Sequence, residues 1–316
     1  MLLAAGLLLA LAGGHLLYQH AAQEVEGARR NPNFRRGWPE YIASFPPRRE
    51  GELVVLVLAN SQGYAPEIPS RQAYPALLQH LLRQSGLPAR VVNWSAPAGQ
   101  YFDFLLFAAA ARDLRPDHIL VVTSTGMFGA SSVPRRERAA WASDAHHLLA
   151  DGEFRHRLPP RHRSAWLPAA LWPDLMLARL YPAWRWRTRP VERAARHPPA
   201  LWLLPGGGQW LRTQRDIPGV LPPPERLSFQ KAAFLDFAHV LQAACPDVTM
   251  VRMPLRSDRR QLGGLSWKPF QTHCRDAGLN ALDLARLVPD AEFITYSHMQ
   301  VEGHRRVAAA LAGLFQ

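Results

Sequence analysis

Residues 53–59 read LVVLVLA, an unbroken apolar run between Glu52 and Asn60. A run so short, rich in valine and bounded by charge and turn residues, marks a parallel strand buried on both faces. Such a strand needs cover on two sides, and the rest of the chain supplies it. At 73–85, Tyr74, Leu77, Leu78, Leu81 and Leu82 recur with helical spacing. Further strands are expected at 90–93, 118–123, 248–252 and 279–282, and further helices at 100–113, 228–244, 267–277 and 301–314. Strands alternating with helices imply a mostly parallel sheet covered on both faces. The expected fold is therefore a three-layer α/β/α sandwich over residues 51–316, interrupted by a helical insertion at 131–227. The chain has 316 residues, 48% hydrophobic and 20% charged, which excludes disorder, collagen and coiled coil and fits one to two domains.

The first eighteen residues, MLLAAGLLLALAGGHLLY, are apolar except for His15, and no charged side chain precedes Glu24. As a helix they rise about 27 Å, close to the hydrocarbon thickness of a bilayer. A cleaved signal peptide is the rival reading. It lacks a basic n-region, and its one small-x-small site, Ala10-Leu11-Ala12, leaves a very short apolar core. An uncleaved transmembrane anchor at 1–18 is expected, followed by a juxtamembrane linker at 19–50. An exported soluble domain is the expected orientation. Arg29, Arg30, Arg35 and Arg36 oppose that orientation under the positive-inside rule.

The formal net charge is +12, yet only Lys231 and Lys268 are lysines, and the arginines are dispersed without a groove-reading motif. Charge of that kind is no nucleic-acid signature, and no nucleic-acid partner is expected. Two cysteines allow neither a disulfide framework nor a CxxC site. Cys245 and Cys274 read as separate buried thiols, with pairing open in an exported domain. His146, His147, His156 and His162 lack the i,i+4 pairing and neighbouring carboxylates of a zinc site, so neither metal nor cofactor is expected.

The insertion holds seven of the ten tryptophans and 16 Arg against 8 Asp plus Glu. Two readings stand side by side. Residues 164–190 can lie in a membrane interface, exposing Trp166, Leu171, Trp172, Leu175, Leu180 and Trp184. Alternatively, the segment is a lid packing its Leu and Trp onto the sheet domain.

In open α/β sheets chemistry gathers at the carboxyl ends of the strands. Asn60-Ser61-Gln62-Gly63 follows the first strand, Asn93-Trp94-Ser95 with Pro97-Ala98-Gly99 the second, and Ser124-Thr125-Gly126 the third. Thr295-Tyr296-Ser297-His298 and Gly303-His304 stand at the last helix. A serine on a strand-to-helix turn can present its hydroxyl to a cleft, and a histidine brought beside it can take the proton.

The order and placement of these blocks resemble the SGNH (GDSL-like) hydrolase superfamily, in particular its membrane-anchored members associated with O-acylation of cell-envelope polymers. The resemblance covers 51–130 and 228–316. Ala59-Asn60-Ser61 stands where the family has Gly-Asp-Ser, and Asn93-Trp94-Ser95 where it has Asn-x-Gly. Ser124-Thr125-Gly126 stands for Gly-x-Asn, and Thr295-Tyr296-Ser297-His298 for Asp-x-x-His. The resemblance implies Ser61 as nucleophile and His298 as its base. It also implies that Ser95 replaces an oxyanion glycine, Gly126 an oxyanion asparagine, and Thr295 the acid that orients the histidine. Ser95, Ser124 and Gln62 are candidate substitutes for the lost donors, and the Thr295 hydroxyl or a backbone carbonyl is the candidate acceptor for His298. Two functions follow as expectations. One is an acyl-ester hydrolase or O-acyltransferase whose Ser-His dyad acts on acylated cell-envelope carbohydrate or an acyl donor. The other is a catalytically degenerate subunit that binds glycan or a membrane-bound O-acyltransferase. In the duller reading of the residues, Ser61 only caps a helix, His298 bonds backbone near a helix start, and His304 is solvated.

Overall fold

The computed structural model describes residues 38–65, 67–96, 99–122, 125–129, 145–165, 172–180, 229–258 and 266–316. Five strands form one sheet: β1 (Leu53–Ala59), β2 (Ala89–Ser95), β3 (His118–Val122), β4 (Val248–Arg252) and β5 (Asn280–Asp283), in the order β2-β1-β3-β4-β5. Every neighbouring pair is parallel. The helices are α1 (Trp38–Ala43), α2 (Ser61–Tyr64), α3 (Tyr74–Gln84), α4 (Tyr101–Leu114), α5 (Gly152–Arg155), α6 (Trp172–Leu180), α7 (Lys231–Ala244), α8 (Trp267–Asp276) and α9 (Val301–Ala312).

The two-sided burial expected of LVVLVLA divides cleanly. Val54, Leu56 and Leu58 join one core with α4, α7 and α8. Val55, Val57 and Ala59 join a second core with α3 and α9. Successive strand side chains point to opposite faces, so a run without polar residues is what a strand between two helical layers needs. The three-layer parallel architecture thus agrees with the expected one.

Several boundaries differ from expectation. β2 runs through Ser95 rather than stopping at Asn93, because Asn93 pairs with Val57 and Ser95 with Ala59 across the sheet. Ordered packing also starts before residue 51. Trp38 and Tyr41 of α1, in the stretch assigned to a linker, are buried, and Trp94 Nε1 donates to the Tyr41 hydroxyl at 3.0 Å. Apart from the capping Asp103, helix α4 is apolar from Tyr101 to Ala111, and these residues are all buried. The sheet covers one side of it. The described part of the insertion contributes Ala145, Leu148, Leu149, Phe154 and Leu158 to the same core. That part behaves as a packed lid.

Leu175, expected in an exposed patch, is 1% exposed and belongs to this core. Trp172 and Leu180 of α6 are exposed as expected, at 42% and 76%. Trp166, Leu171 and Trp184 lie outside the described residues. Among the described residues no helix is long and apolar enough to cross a membrane. Residues 1–18 lie outside them. Cys245 and Cys274 are buried free thiols. Burial raises both, Cys274 to about 12.

Candidate active site

Register sets the floor of the site. Ala59, Ser95 and Val122 pair across β1, β2 and β3, and Val122 pairs with Val251 of β4. The loops that leave these four strands therefore start at one level, at the carboxyl edge. β1 lies between β2 and β3, so the chain passes to opposite sides of β1, which is where such sheets open a crevice.

Ser61 is the first residue of α2 and is half-buried. It does not cap the helix. Asn60 does, with extended backbone and a side-chain oxygen that accepts from Gln62 N–H at 3.0 Å. The N–H groups of Gly63 and Tyr64 donate to the Asn60 carbonyl. A helix start leaves its first N–H groups without intrahelical partners. Here that leaves the N–H of Ser61 as the turn's donor with no acceptor among the described residues. The Ser61 hydroxyl likewise makes no hydrogen bond among them.

Gly63 lets this turn sit on the sheet. A Cβ there would run into Ala59 Cβ and meet Ser95 Oγ at 2.5 Å. Ser95 thus lies under the turn, fully buried, and its hydroxyl donates to Asn93 Oδ1. Asn93 Nδ2 in turn donates to the Gly63 carbonyl at 3.1 Å. The side chains of this second block buttress the Ser61 turn from below. The Ser95 hydroxyl proton, expected to face an oxyanion, is committed to that support.

The side chain of Gln62, expected as a spare oxyanion donor, has another task. Its Nε2 donates to the Pro254 carbonyl at 2.9 Å and to the Ser297 carbonyl at 3.1 Å. The turn after β1 is thereby tied to the loop after β4 and to the loop that carries His298. Ser61 and His298 are the chain neighbours of this bonded pair, so both stand on the same edge of the sheet.

His298 is 5% exposed. Its Nδ1 lies 2.5 Å from Glu67 Oε1, and its Nε2 has no partner among the described residues. Thr295 does not hold the imidazole, contrary to expectation. Its Oγ1 accepts the backbone N–H of His298 at 3.0 Å and that of Ser297 at 3.4 Å, as a side-chain-capped turn does. Reading only the residues directly after each strand missed Glu67. The available signal was a carboxylate six positions beyond Ser61 on the same edge loop.

Gly126 lies in a short 3₁₀ turn, Thr125–Phe128, after β3. Ser124, Pro97 and Ala98 fall outside the described residues. His304, read as solvated, is 1% exposed. Its Nδ1 accepts the Tyr74 N–H at 3.2 Å, and its ring stacks on Tyr74. Ala73, which precedes α3, has no side chain able to cap it, and His304 of α9 serves that end instead. Among the described residues no cluster of His, Cys, Asp and Glu is arranged to hold a metal. A cavity of about 400 Å³ lies along edge strand β2, with Arg49, Arg83, Arg90 and Asn93 in its wall. Neither Ser61 nor His298 lines it.

No family model matches the chain, and no curated protein does. Among solved structures it is similar at low level to the acetyl xylan esterase AlAXEase, with 9% identity and a TM-score of 0.43 over 84% of this chain and 100% of that one. It is also similar to Axe2, an acetylxylan esterase from Geobacillus stearothermophilus, with 11% identity and a TM-score of 0.41 over 82% and 92% of the two chains. A putative arylesterase from Agrobacterium tumefaciens str. C58 gives 11% identity and 0.39 over 83% and 98%. These are distant likenesses, and the argument for function rests on the groups around Ser61 and His298.

Proposed function

We propose that the chain is a serine acyl-ester hydrolase or O-acyltransferase of the SGNH type, acting on acylated carbohydrate. The observation that carries this reading is the Gln62–Ser297 bond, which joins the loops of Ser61 and His298 while Ser61 Oγ and His298 Nε2 are both left without a hydrogen-bond partner among the described residues. In the proposed reaction Ser61 Oγ attacks the ester carbonyl carbon as its proton passes to His298 Nε2. The negative charge formed on the carbonyl oxygen meets the N–H of Ser61. Collapse expels the sugar oxygen, which takes the proton from Nε2, and leaves an acyl group on Ser61. Water or a second sugar hydroxyl, deprotonated by Nε2, then attacks the acyl carbon, and Ser61 Oγ leaves with the proton returned from Nε2. The carbohydrate substrate class comes from the resemblance of the motif blocks and is carried to this chain as part of the proposal.

A second reading has its own support. Ser95 Oγ is spent on Asn93, and Gly126 brings no side chain, so the oxyanion donors are fewer than an SGNH site expects. A subunit with so weak a site would bind glycan or a membrane-bound O-acyltransferase without turnover. We further place the domain outside the inner membrane, held by residues 1–18.

The test is the full chain incubated with p-nitrophenyl acetate and with a fluorophosphonate probe, with Ser61→Ala as control. The enzyme reading expects turnover and covalent labelling at Ser61, both lost in the variant. Labelling absent from the wild-type chain, with glycan still bound, supports the subunit reading instead.

A further inference from the structure

Resting on the Ser61–His298 reading, we propose that Glu67 is the acid that orients His298, supplied by the nucleophile's own loop in place of residue 295. Three observations converge on it. Glu67 Oε1 stands within hydrogen-bond reach of His298 Nδ1, at 2.5 Å. The imidazole is nearly buried, and 22% of the Glu67 side chain is exposed, so the pair is partly sheltered from water. Bonding at Nδ1 fixes the ring so that the proton sits on Nδ1 and the lone pair on Nε2, the arrangement a general base needs. Thr295 is occupied elsewhere, accepting the backbone N–H groups of Ser297 and His298.

The loop that carries Glu67 is itself held in place. Helix α2 ends at Ala65 in the left-handed region, with φ 43°, which turns the chain back toward the edge. Ala65, Ile68 and Ala73 then form a small apolar cluster against Val301. Ile68 adjoins Glu67 in the chain, and Val301 lies three positions after His298. The same cluster therefore anchors both partners and fixes the carboxylate relative to the ring. Nucleophile and acid thus share one short segment, Ser61 to Glu67, while the base comes from the far end of the chain. Glu67 is a positioning residue: it acts on His298 and not on substrate. As the imidazole gains a proton during attack, a carboxylate at Nδ1 stabilises that charge more than a neutral acceptor does.

The test uses the full chain and three variants: Glu67→Gln, Glu67→Asp, and Glu67→Gln combined with Thr295→Asp. The first readout is independent of activity. In the wild-type chain the His298 Nδ1 proton, shielded by its carboxylate bond, is expected as a far-downfield imidazole N–H resonance in proton NMR. It is assigned by its loss in His298→Gln and should also be lost in Glu67→Gln. The second readout is turnover of p-nitrophenyl acetate. Glu67→Gln should lower kcat by roughly 100-fold or more while KM stays within about threefold. Glu67→Asp keeps the charge and should retain part of the rate. Adding Thr295→Asp to the Glu67→Gln variant should recover at least tenfold, a result that simple loss of folding does not predict. A wild-type chain lacking the downfield resonance overturns the proposal whatever its activity. So does a Glu67→Gln variant that turns over like wild type, or one that the second substitution fails to rescue. If Ser61 is never labelled while the resonance is present and depends on Glu67, the orienting pair stands and the nucleophile assignment fails.

Discussion

At the scale of single residues, the site depends on close approach and on committed hydrogen bonds. Gly63 is held by contact rather than by a positive φ: a methyl group there runs into Ala59 and Ser95, both on the strand floor. Gly63→Ala should therefore lower stability by about 1–3 kcal/mol and displace the Ser61 turn, read as a lower Tm and lost fluorophosphonate labelling. Gln62→Leu keeps bulk but strands two carbonyl oxygens, of Pro254 and Ser297. It should cost about 1–3 kcal/mol and reduce kcat more than KM, because the loops that present Ser61 and His298 lose their tie. From the sequence alone, Thr295→Asp in the otherwise wild-type chain is expected to raise any esterase rate. With Glu67 already on Nδ1, it should leave the rate within about twofold or lower it by adding a competing charge. Ser61 and His298 stand out as candidates in the sequence because a strand-to-helix turn and a pre-helix block carry recognisable residues. Glu67 does not, since its role depends on how the 65–73 loop folds back, and no local spacing encodes that return.

At the scale of elements, legibility followed burial. Strands covered on both faces are continuous apolar runs, and LVVLVLA marks β1 to the residue. β2 runs beyond its apolar stretch because Asn93 and Ser95 look like loop residues until their ladder to β1 is seen. Helix α4 is buried on its outer side by the insertion, a contact that periodicity cannot foretell. The junction of α3 and α9 depends on His304. His304→Ala leaves the Tyr74 N–H without its acceptor and opens a space beside the Tyr74 ring, so it should cost about 1–3 kcal/mol in thermal or urea unfolding. At the other end of the sheet, burial alone would raise Glu52, but hydrogen bonds and charge from Arg90, with the Arg49 N–H, bring it below its ordinary value. A carboxylate lowered on folding adds stability above its unfolded pKa, and that stability is lost as pH falls through the folded one. The chain should therefore lose stability on acidification below about pH 4.5. In Glu52→Gln that loss should be smaller, from a less stable neutral starting point, as chemical unfolding across pH would record.

At the scale of the whole molecule, the packed body includes α1, the first described element, whose Trp38 rests against Trp94 and Phe154. The anchor proposed at 1–18 would hold this body beside a bilayer. The face that α6 presents becomes relevant at that distance. Trp172, Met176 and Leu180 recur every four residues and are all exposed, while Leu175 turns inward to the core. An indole and aliphatic side chains so placed favour the interfacial zone of a membrane, and the net charge of +12 favours anionic headgroups. On the proposed reading, anchor and helix face should make separable contributions. The full chain should stay with membranes through an alkaline carbonate wash, and removal of residues 1–18 should abolish that resistance. The shortened chain should still float in part with anionic liposomes, and Trp172→Ser with Leu180→Ser should reduce its flotation at least threefold without changing its Tm by more than about 2 °C. Sequencing the N-terminus of the membrane-held form distinguishes an anchor from a cleaved leader. A chain that begins after Ala12 and washes off with carbonate rules out the anchor, and a shortened chain that never floats assigns the α6 face to contact within the protein or with another protein.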